Sequence, residues 1–170
     1  KGKRGTTVEE NQALMNPLAG DRAELQKRLA GGLATAKKQD GVDPSKAAAI
    51  GYCFGGLSVL DMARAGMDVL GVCSFHGLLG APENLASPKI SAKVLIEHGW
   101  QDPMAKPDDV LTIAKEMTEA GADWQLHAHG NSMHAFTTEG ANNAEMGTVY
   151  NADADRRSFA HLRDFLAELF

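Results

Sequence analysis

Short apolar runs alternate with amphipathic helical stretches along this sequence, and that alternation predicts an α/β domain: a parallel sheet with helices on both faces. Two observations sharpen the prediction. Val69–Phe75 is rich in Val and Leu without polar alternation, the pattern of a strand covered on both faces. Ala47–Tyr52 runs through glycines straight into a new apolar-periodic stretch, leaving room only for a very tight strand-to-helix turn. With 170 residues and no internal repeat or linker, residues 1–170 are expected to form a single domain.

The elements follow in order. Residues 1–19 carry little periodicity and contain Asn16-Pro17, so a loop with at most a short helix over Val8–Met15 is expected. Asp21 with Glu24 three residues on resembles a capping box, and Leu25, Leu29, Leu33 and Ala36 continue it as a helix that stops at Gly41. Asp43-Pro44 turns the chain into the first strand, Ala47–Tyr52. A helix then runs from Cys53 to about Ala65, with Leu57, Leu60 and Met62 to pack, and Gly66 closes it. Val69–Phe75 is the second strand, and a loop holding Pro82 and Pro88 leads to the third, Val94–His98. Pro107 suits a first helical position, Val110, Ile113, Ala114 and Met117 form the inner stripe, and Gly121 ends that helix. Trp124–His129 is the fourth strand. A loop rich in Gly and Asn precedes a last helix from about Asp153 to Leu169, with Phe159, Leu162, Leu166 and Leu169 on one face.

Composition excludes several classes. Apolar residues make up 44% and charged residues 23%, the values of an ordinary globular domain. A net charge of −5 argues against nucleic acid or an anionic membrane as the main partner. No apolar stretch nears the roughly 20 residues that span a bilayer, and the polar N-terminus is no secretory signal. The two cysteines, Cys53 and Cys73, each sit in strand-like surroundings, which points to a reduced, cytoplasmic protein rather than a disulfide scaffold. The chain opens Lys1-Gly2-Lys3-Arg4 without Met, so translation is expected to start upstream.

The chemistry is expected at the carboxyl ends of the strands, where open α/β sheets gather their sites. The stretch Gly51-Tyr52-Cys53-Phe54-Gly55-Gly56 puts a cysteine in the tight turn, where small neighbours let the backbone fold closely on itself. The following helix directs unpaired N–H groups and its positive dipole end at Cys53, which favours the thiolate. After the second strand comes Phe75-His76-Gly77, after the third His98-Gly99-Trp100-Gln101-Asp102-Pro103, and after the fourth Met133-His134-Ala135-Phe136. Nucleophile, acid and base therefore occur in the order Cys53, Asp102, His134, the order of the α/β-hydrolase fold.

At these residues the sequence resembles the dienelactone hydrolase family of the α/β-hydrolase fold. The resemblance rests on Gly51-Tyr52-Cys53-Phe54-Gly55-Gly56, the His98-Gly99-x-x-Asp102-Pro103 turn, His134-Ala135-Phe136 and the Gly41-Val42-Asp43-Pro44 turn, and it spans about Gly5 to Phe170. It implies a Cys53–His134–Asp102 triad, an oxyanion donor in the N–H of Phe54, and no cofactor. It also implies strands and a helix before the region matching residue 1, so these residues are expected to be the C-terminal part of a longer hydrolase domain. That earlier segment would bring a second oxyanion donor and a carboxylate that helps to activate the thiol. Dienelactone-cleaving members hold the substrate carboxylate with an arginine shortly after the histidine. Here Phe136-Thr137-Thr138-Glu139 offers no basic residue, which argues against dienelactone itself.

The resulting expectation is a carboxylic ester hydrolase acting on a small activated ester, enol-lactone or thioester through an acyl-thioester, as a monomer or homodimer. His76 and Trp100 are candidate pocket residues, with packing roles as the alternative for each. The competing reading is a binding or regulatory protein on a hydrolase scaffold with weak or no activity. A glutaminase-type site would place an acid two residues after the histidine, where Phe136 stands. A metal site drawn from His127, His129 and His134 would leave Cys53 and Asp102 without a role, so no metal is expected.

Overall fold

A computed structural model describes residues 2–83 and 89–170 of the chain. Pro88, expected in the loop before the third strand, lies outside them. The element order is α1 (Val8–Gly20), α2 (Arg22–Ala36), β1 (Ala48–Tyr52), α3 (Phe54–Arg64), β2 (Gly71–Phe75), β3 (Lys93–Gly99), α4 (Pro107–Glu119), β4 (Trp124–His129), β5 (Asn142–Asn143), β6 (Thr148–Val149) and α5 (Ala152–Leu169). The four main strands form a parallel sheet in the order β1-β2-β3-β4. This is the predicted α/β class.

Strand alternation divides the core in two. Val72, Val94 and Ile96 face one way and pack with Val59, Leu60 and Ala63 of α3 and Val110, Ile113 and Met117 of α4, with Leu29 and Leu33 of α2 against the same cluster. Cys73, Phe75 and Leu95 face the other way, onto Leu162 and Phe165 of α5. The central strands β2 and β3 are buried nearly throughout. A polar lock fastens the helices of the first layer. Buried Arg64 pairs with Asp61 and Glu116 and donates to the Leu79 and Gly80 carbonyls, while Arg22 of α2 pairs with Asp61.

The helix caps carry the side chains their positions call for. Asp21 accepts the Glu24 N–H at 2.9 Å, but Glu24 turns to Arg28 instead of completing a capping box. Pro107 opens α4, and Asn151 accepts the Asp153 and Ala154 N–H groups at the start of α5.

The structure corrects the sequence reading in five places. Helix α1 continues through Pro17 to Gly20 instead of stopping near Met15. No residue of α1 is buried, so the carbonyl left without the proline's missing N–H stays exposed to water. Helix α2 ends at Ala36, short of Gly41, and a run of turns covers the difference. Strand β1 is half-exposed rather than buried, with Ile50 43% and Tyr52 47% accessible, because it is an edge of the sheet. On α5, Phe159 points outward at 56% exposure, and Ala154, Ser158, Leu162 and Phe165 form the buried face. The Gly/Asn-rich loop contains a small antiparallel pair, β5–β6, and a bridge from His134 to Thr148.

Candidate active site

The turn between β1 and α3 is built around Cys53, whose backbone is left-handed at φ 54°, ψ −119°. Such a conformation is strained for a residue with a Cβ, and it throws the thiol forward from the strand end. Two glycines make the turn possible. A Cβ on Gly51 would lie 2.0 Å from the Gly55 carbonyl oxygen, and one on Gly56 would lie 2.7 Å from the Cα of Gly77. Gly55, by contrast, faces open space. Cys53 is the N-cap of α3, and the Cys53 carbonyl begins the helical ladder by accepting from Gly56 and Leu57.

Asp102 and His134 come from the loops after β3 and β4, and both are buried. The Asp102 backbone N–H donates to Gly99, and its Oδ1 accepts from the Met104 N–H at 2.8 Å, which leaves Oδ2 free to face His134. His134 Nδ1 lies 2.7 Å from Asp102 Oδ2. The two loops are cross-tied: Gln101 N–H donates to the Ser132 carbonyl, and Trp100 N–H to that of His129. Gly99 permits this approach, since a Cβ there would sit 2.5 Å from the Met133 carbonyl oxygen.

His134 Nε2 is buried and makes no well-formed hydrogen bond, but it interacts with the Cys53 thiol. The two groups alter each other's titration. Burial pushes the Cys53 thiol up, yet His134 and the Phe54 N–H more than offset that, so it lies below its ordinary value. Burial likewise disfavours protonated His134, but Asp102 and Cys53 outweigh it and raise its pKa to about 9. The arrangement therefore favours a thiolate–imidazolium pair, which suits Cys53 for nucleophilic attack and His134 for proton transfer.

His76 is buried beside this pair. Its ring centroid lies 5.1 Å from that of His134 and 5.2 Å from that of Phe136, both edge-on, and its Nε2 is 2.8 Å from Thr137 Oγ1. Burial, with the neighbouring His134, pushes its pKa down to about 4, so it stays neutral near pH 7. Trp100 is 43% exposed and meets His98 edge-on, with a centroid separation of 6.4 Å. Cys73 lies in the core, where burial and Glu97 push its thiol up strongly.

The structure thus brings Cys53, Phe54, His76, Asp102 and His134 to one end of the sheet. It does not bring His127, His129 and His134 together as ligands: His134 turns to Asp102, and His127 stacks on His161 at 3.8 Å. Sequence reasoning missed Thr137 as the partner of His76. It also missed Glu97, a fully buried carboxylate that meets His129 and His161. A Glu in an otherwise apolar strand was the available signal. No helix among the described residues is long and apolar enough to cross a membrane.

Comparison with known proteins shows the family and the fold. The sequence pattern of the dienelactone hydrolase family matches residues 1–170. Uncharacterized protein K02A2.1 of Caenorhabditis elegans is 35% identical over 150 residues, covering 86% of this chain and 95% of that protein. Among solved structures, P91, a dienelactone hydrolase-like promiscuous phosphotriesterase from metagenomic libraries, is 32% identical with a TM-score of 0.90. The match covers 96% of this chain and 69% of P91. The protein m3DLH is 31% identical with a TM-score of 0.92, over 100% of this chain and 71% of its own. The chain belongs to the dienelactone hydrolase family, as a hydrolase of that type on the α/β-hydrolase fold.

Proposed function

We propose that this protein hydrolyses small activated esters, enol-lactones or thioesters through a covalent acyl-cysteine. The observation that carries the reading is Cys53 in a strained elbow, paired with His134, whose Nδ1 is held at 2.7 Å by buried Asp102. The Cys53 thiolate attacks the carbonyl carbon, and the Phe54 N–H at the start of α3 stabilises the oxyanion. His134 Nε2 delivers its proton to the leaving group as the C–O or C–S bond breaks and the acyl-thioester forms. His134 then takes a proton from water, which attacks the thioester, and the thiolate departs from the second intermediate as the acid is released.

Leaving-group chemistry sets the substrate class. A thiolate leaves more readily than an alkoxide, so the intermediate from a simple alkyl ester mostly collapses backwards. Enol, aryl and thiol leaving groups compete. The stretch after His134, Phe136-Thr137-Thr138-Glu139, offers no cation for a substrate carboxylate. Uncharged acyl groups are therefore the better fit. His76 and Trp100 are assigned as pocket residues, with a cytoplasmic location and a small-molecule partner.

Cys53→Ala is expected to abolish p-nitrophenyl acetate hydrolysis, while Cys73→Ala retains most of it. An acyl adduct on Cys53 should appear by intact mass in the pre-steady state. Equal losses in both variants, or none in Cys53→Ala, would overturn the assignment. An ordinary, unreactive Cys53 thiol at pH 7 would instead favour a binding or regulatory role. P91, alike over nearly the whole of this chain, favours a second reading. A p-nitrophenyl phosphotriester is a further candidate substrate for the same thiolate, and the Cys53→Ala control applies to it equally.

A further inference from the structure

Glu97 lies on β3 with its side chain on the α5 face of the sheet, fully buried. Each of its oxygens meets an imidazole from a different element: Oε2 is 2.8 Å from His129 Nε2 on β4, and Oε1 is 3.0 Å from His161 Nδ1 on α5. One donor atom from each of the three residues falls within 4.8 Å of the other two. The parallel register sets His127 opposite Glu97, and its ring stacks on that of His161 at 3.8 Å. None of these four residues takes part in the acyl-transfer steps.

We propose that Glu97, His129 and His161 form a binding site for one borderline divalent cation, of which Zn²⁺ is the representative, at the β3–β4–α5 junction. Two imidazole nitrogens and one carboxylate are the donor set of zinc and its transition-metal neighbours. Calcium and magnesium prefer all-oxygen shells. The spacing is close to what such an ion needs. With metal–ligand bonds of about 2.0–2.1 Å in tetrahedral geometry, neighbouring donors stand about 3.4 Å apart. The observed 2.8 and 3.0 Å contacts, made to different oxygens of the one carboxylate, have to open by about half an ångström, and the separation of the two ring nitrogens, within 4.8 Å, has to close by at most about 1.4 Å.

The protons balance. In the empty site the Glu97 carboxylate accepts from one ring N–H of each histidine. On binding, that proton moves to the ring's other nitrogen, or is released if the ring was an imidazolium. His161 is 33% exposed in its side chain, which gives the ion an entry path from solvent. Leu162 and Phe165 of the same helix pack on Cys73, Phe75 and Leu95, so the sheet face beside the site is apolar. The His129 carbonyl also accepts the Trp100 and Ser132 N–H groups, so an ion there braces the loops that carry Asp102 and His134 without touching them.

The test uses tag-free protein in which Cys53→Ser removes the part-exposed thiol as a competing ligand. Titration with zinc chloride by calorimetry should give one site per chain, and the thermal midpoint should rise with zinc concentration. His161→Ala, at a part-exposed position and with its fold checked by circular dichroism, should weaken binding by at least about a hundredfold, and Glu97→Gln should do likewise. The Co²⁺-loaded protein should show tetrahedral d–d bands and no thiolate charge-transfer band, which excludes Cys73 as a ligand. Absence of saturable binding, equal affinity in His161→Ala, or a thiolate band would overturn the proposal. The cluster would then be a hydrogen-bonded lock between α5 and the sheet. None of these readouts depends on ester hydrolysis, so this site and the proposed activity stand or fall separately.

Discussion

Replacing Asp102 with asparagine tests the coupling between acid, base and nucleophile most directly. Oδ2 accepts from His134 Nδ1 at 2.7 Å, and this hydrogen bond, with the carboxylate charge behind it, outweighs burial together with Cys53 and raises that imidazole to about 9. A rise from 6.5 to about 9 corresponds to roughly 3 kcal/mol in favour of the imidazolium, at 1.36 kcal/mol per unit. The asparagine amide would keep the shape but lose the charge. The His134 imidazolium would then sit buried with only Cys53 opposite, and its pKa should fall back toward the ordinary value. The thiolate–imidazolium population near pH 7 should fall with it, about tenfold for each 1.36 kcal/mol of that stabilisation lost. The assay is the rate of Cys53 alkylation by iodoacetamide from pH 5 to 9, read by intact mass, with buried Cys73 as an internal control. Asp102→Asn should shift the profile to higher pH. It should cost at least about tenfold in kcat/KM for p-nitrophenyl acetate, but less than His134→Ala does. An unchanged alkylation profile, or activity within twofold of the parent, would refute the coupling.

Three further outcomes follow from the same geometry. Gly51→Ala drives a Cβ to 2.0 Å from a backbone oxygen and should destabilise the protein by several kcal/mol in urea unfolding. Gly55→Ala meets open space and should stay within about 1 kcal/mol; similar costs for both would discredit the elbow geometry. His134 gains its proton more readily folded than unfolded, so its contribution is complete below about pH 6.5 and fades as pH rises through about 9. Unfolding free energy should therefore decline over that interval in the parent and lose this slope in His134→Ala. The β1 edge, with Ile50 and Tyr52 half-exposed beside unpaired backbone, should drive concentration-dependent self-association of residues 1–170. Ile50→Lys should relieve it in sedimentation experiments, and a parent that is monomeric at all concentrations sinks the idea.

The sheet was legible because its signals are local. Gly71–Phe75 and Trp124–His129 declare themselves by unbroken or β-favouring runs, and Gly66 and Gly121, both at positive φ, mark the stops after α3 and α4. Cys53, Asp102 and His134 were found for a related reason: parallel strands deliver their successors to one end, so chain order converts directly into proximity. What escaped depends on sidedness. Phe159 fits a helical stripe as well as Phe165 does, and only docking against Phe75 and Leu95 decides which faces in. Strand β1 reads as buried from composition alone, since an edge strand and an interior strand can share one apolar sequence. The partnership of Glu97 with His129 and His161 needed the β3–β4 register and the rotation of α5, neither of which is written in any single segment.

Strain and burial single out the same end of the sheet without reference to any motif. The three non-glycine residues at positive φ among the described residues are Cys53, His76 and Ala135, one in each of three different loops. Each such residue costs of order 1–3 kcal/mol and persists only where its surroundings hold it there. Here the surroundings do: Cys53 N–H donates to the Phe75 carbonyl, His76 N–H to the Glu97 carbonyl, and Ala135 sits between paired His134 and buried Phe136. A fold selected for stability alone would place glycine at all three. Keeping side chains at Cys53 and His76, and orienting His134 next to Ala135, presents a thiol and two imidazoles to one point, with a carboxylate behind one of them. Relaxing the strain at position 53, by replacing the cysteine with glycine, is thus expected to stabilise the protein while removing the group its turn exists to project.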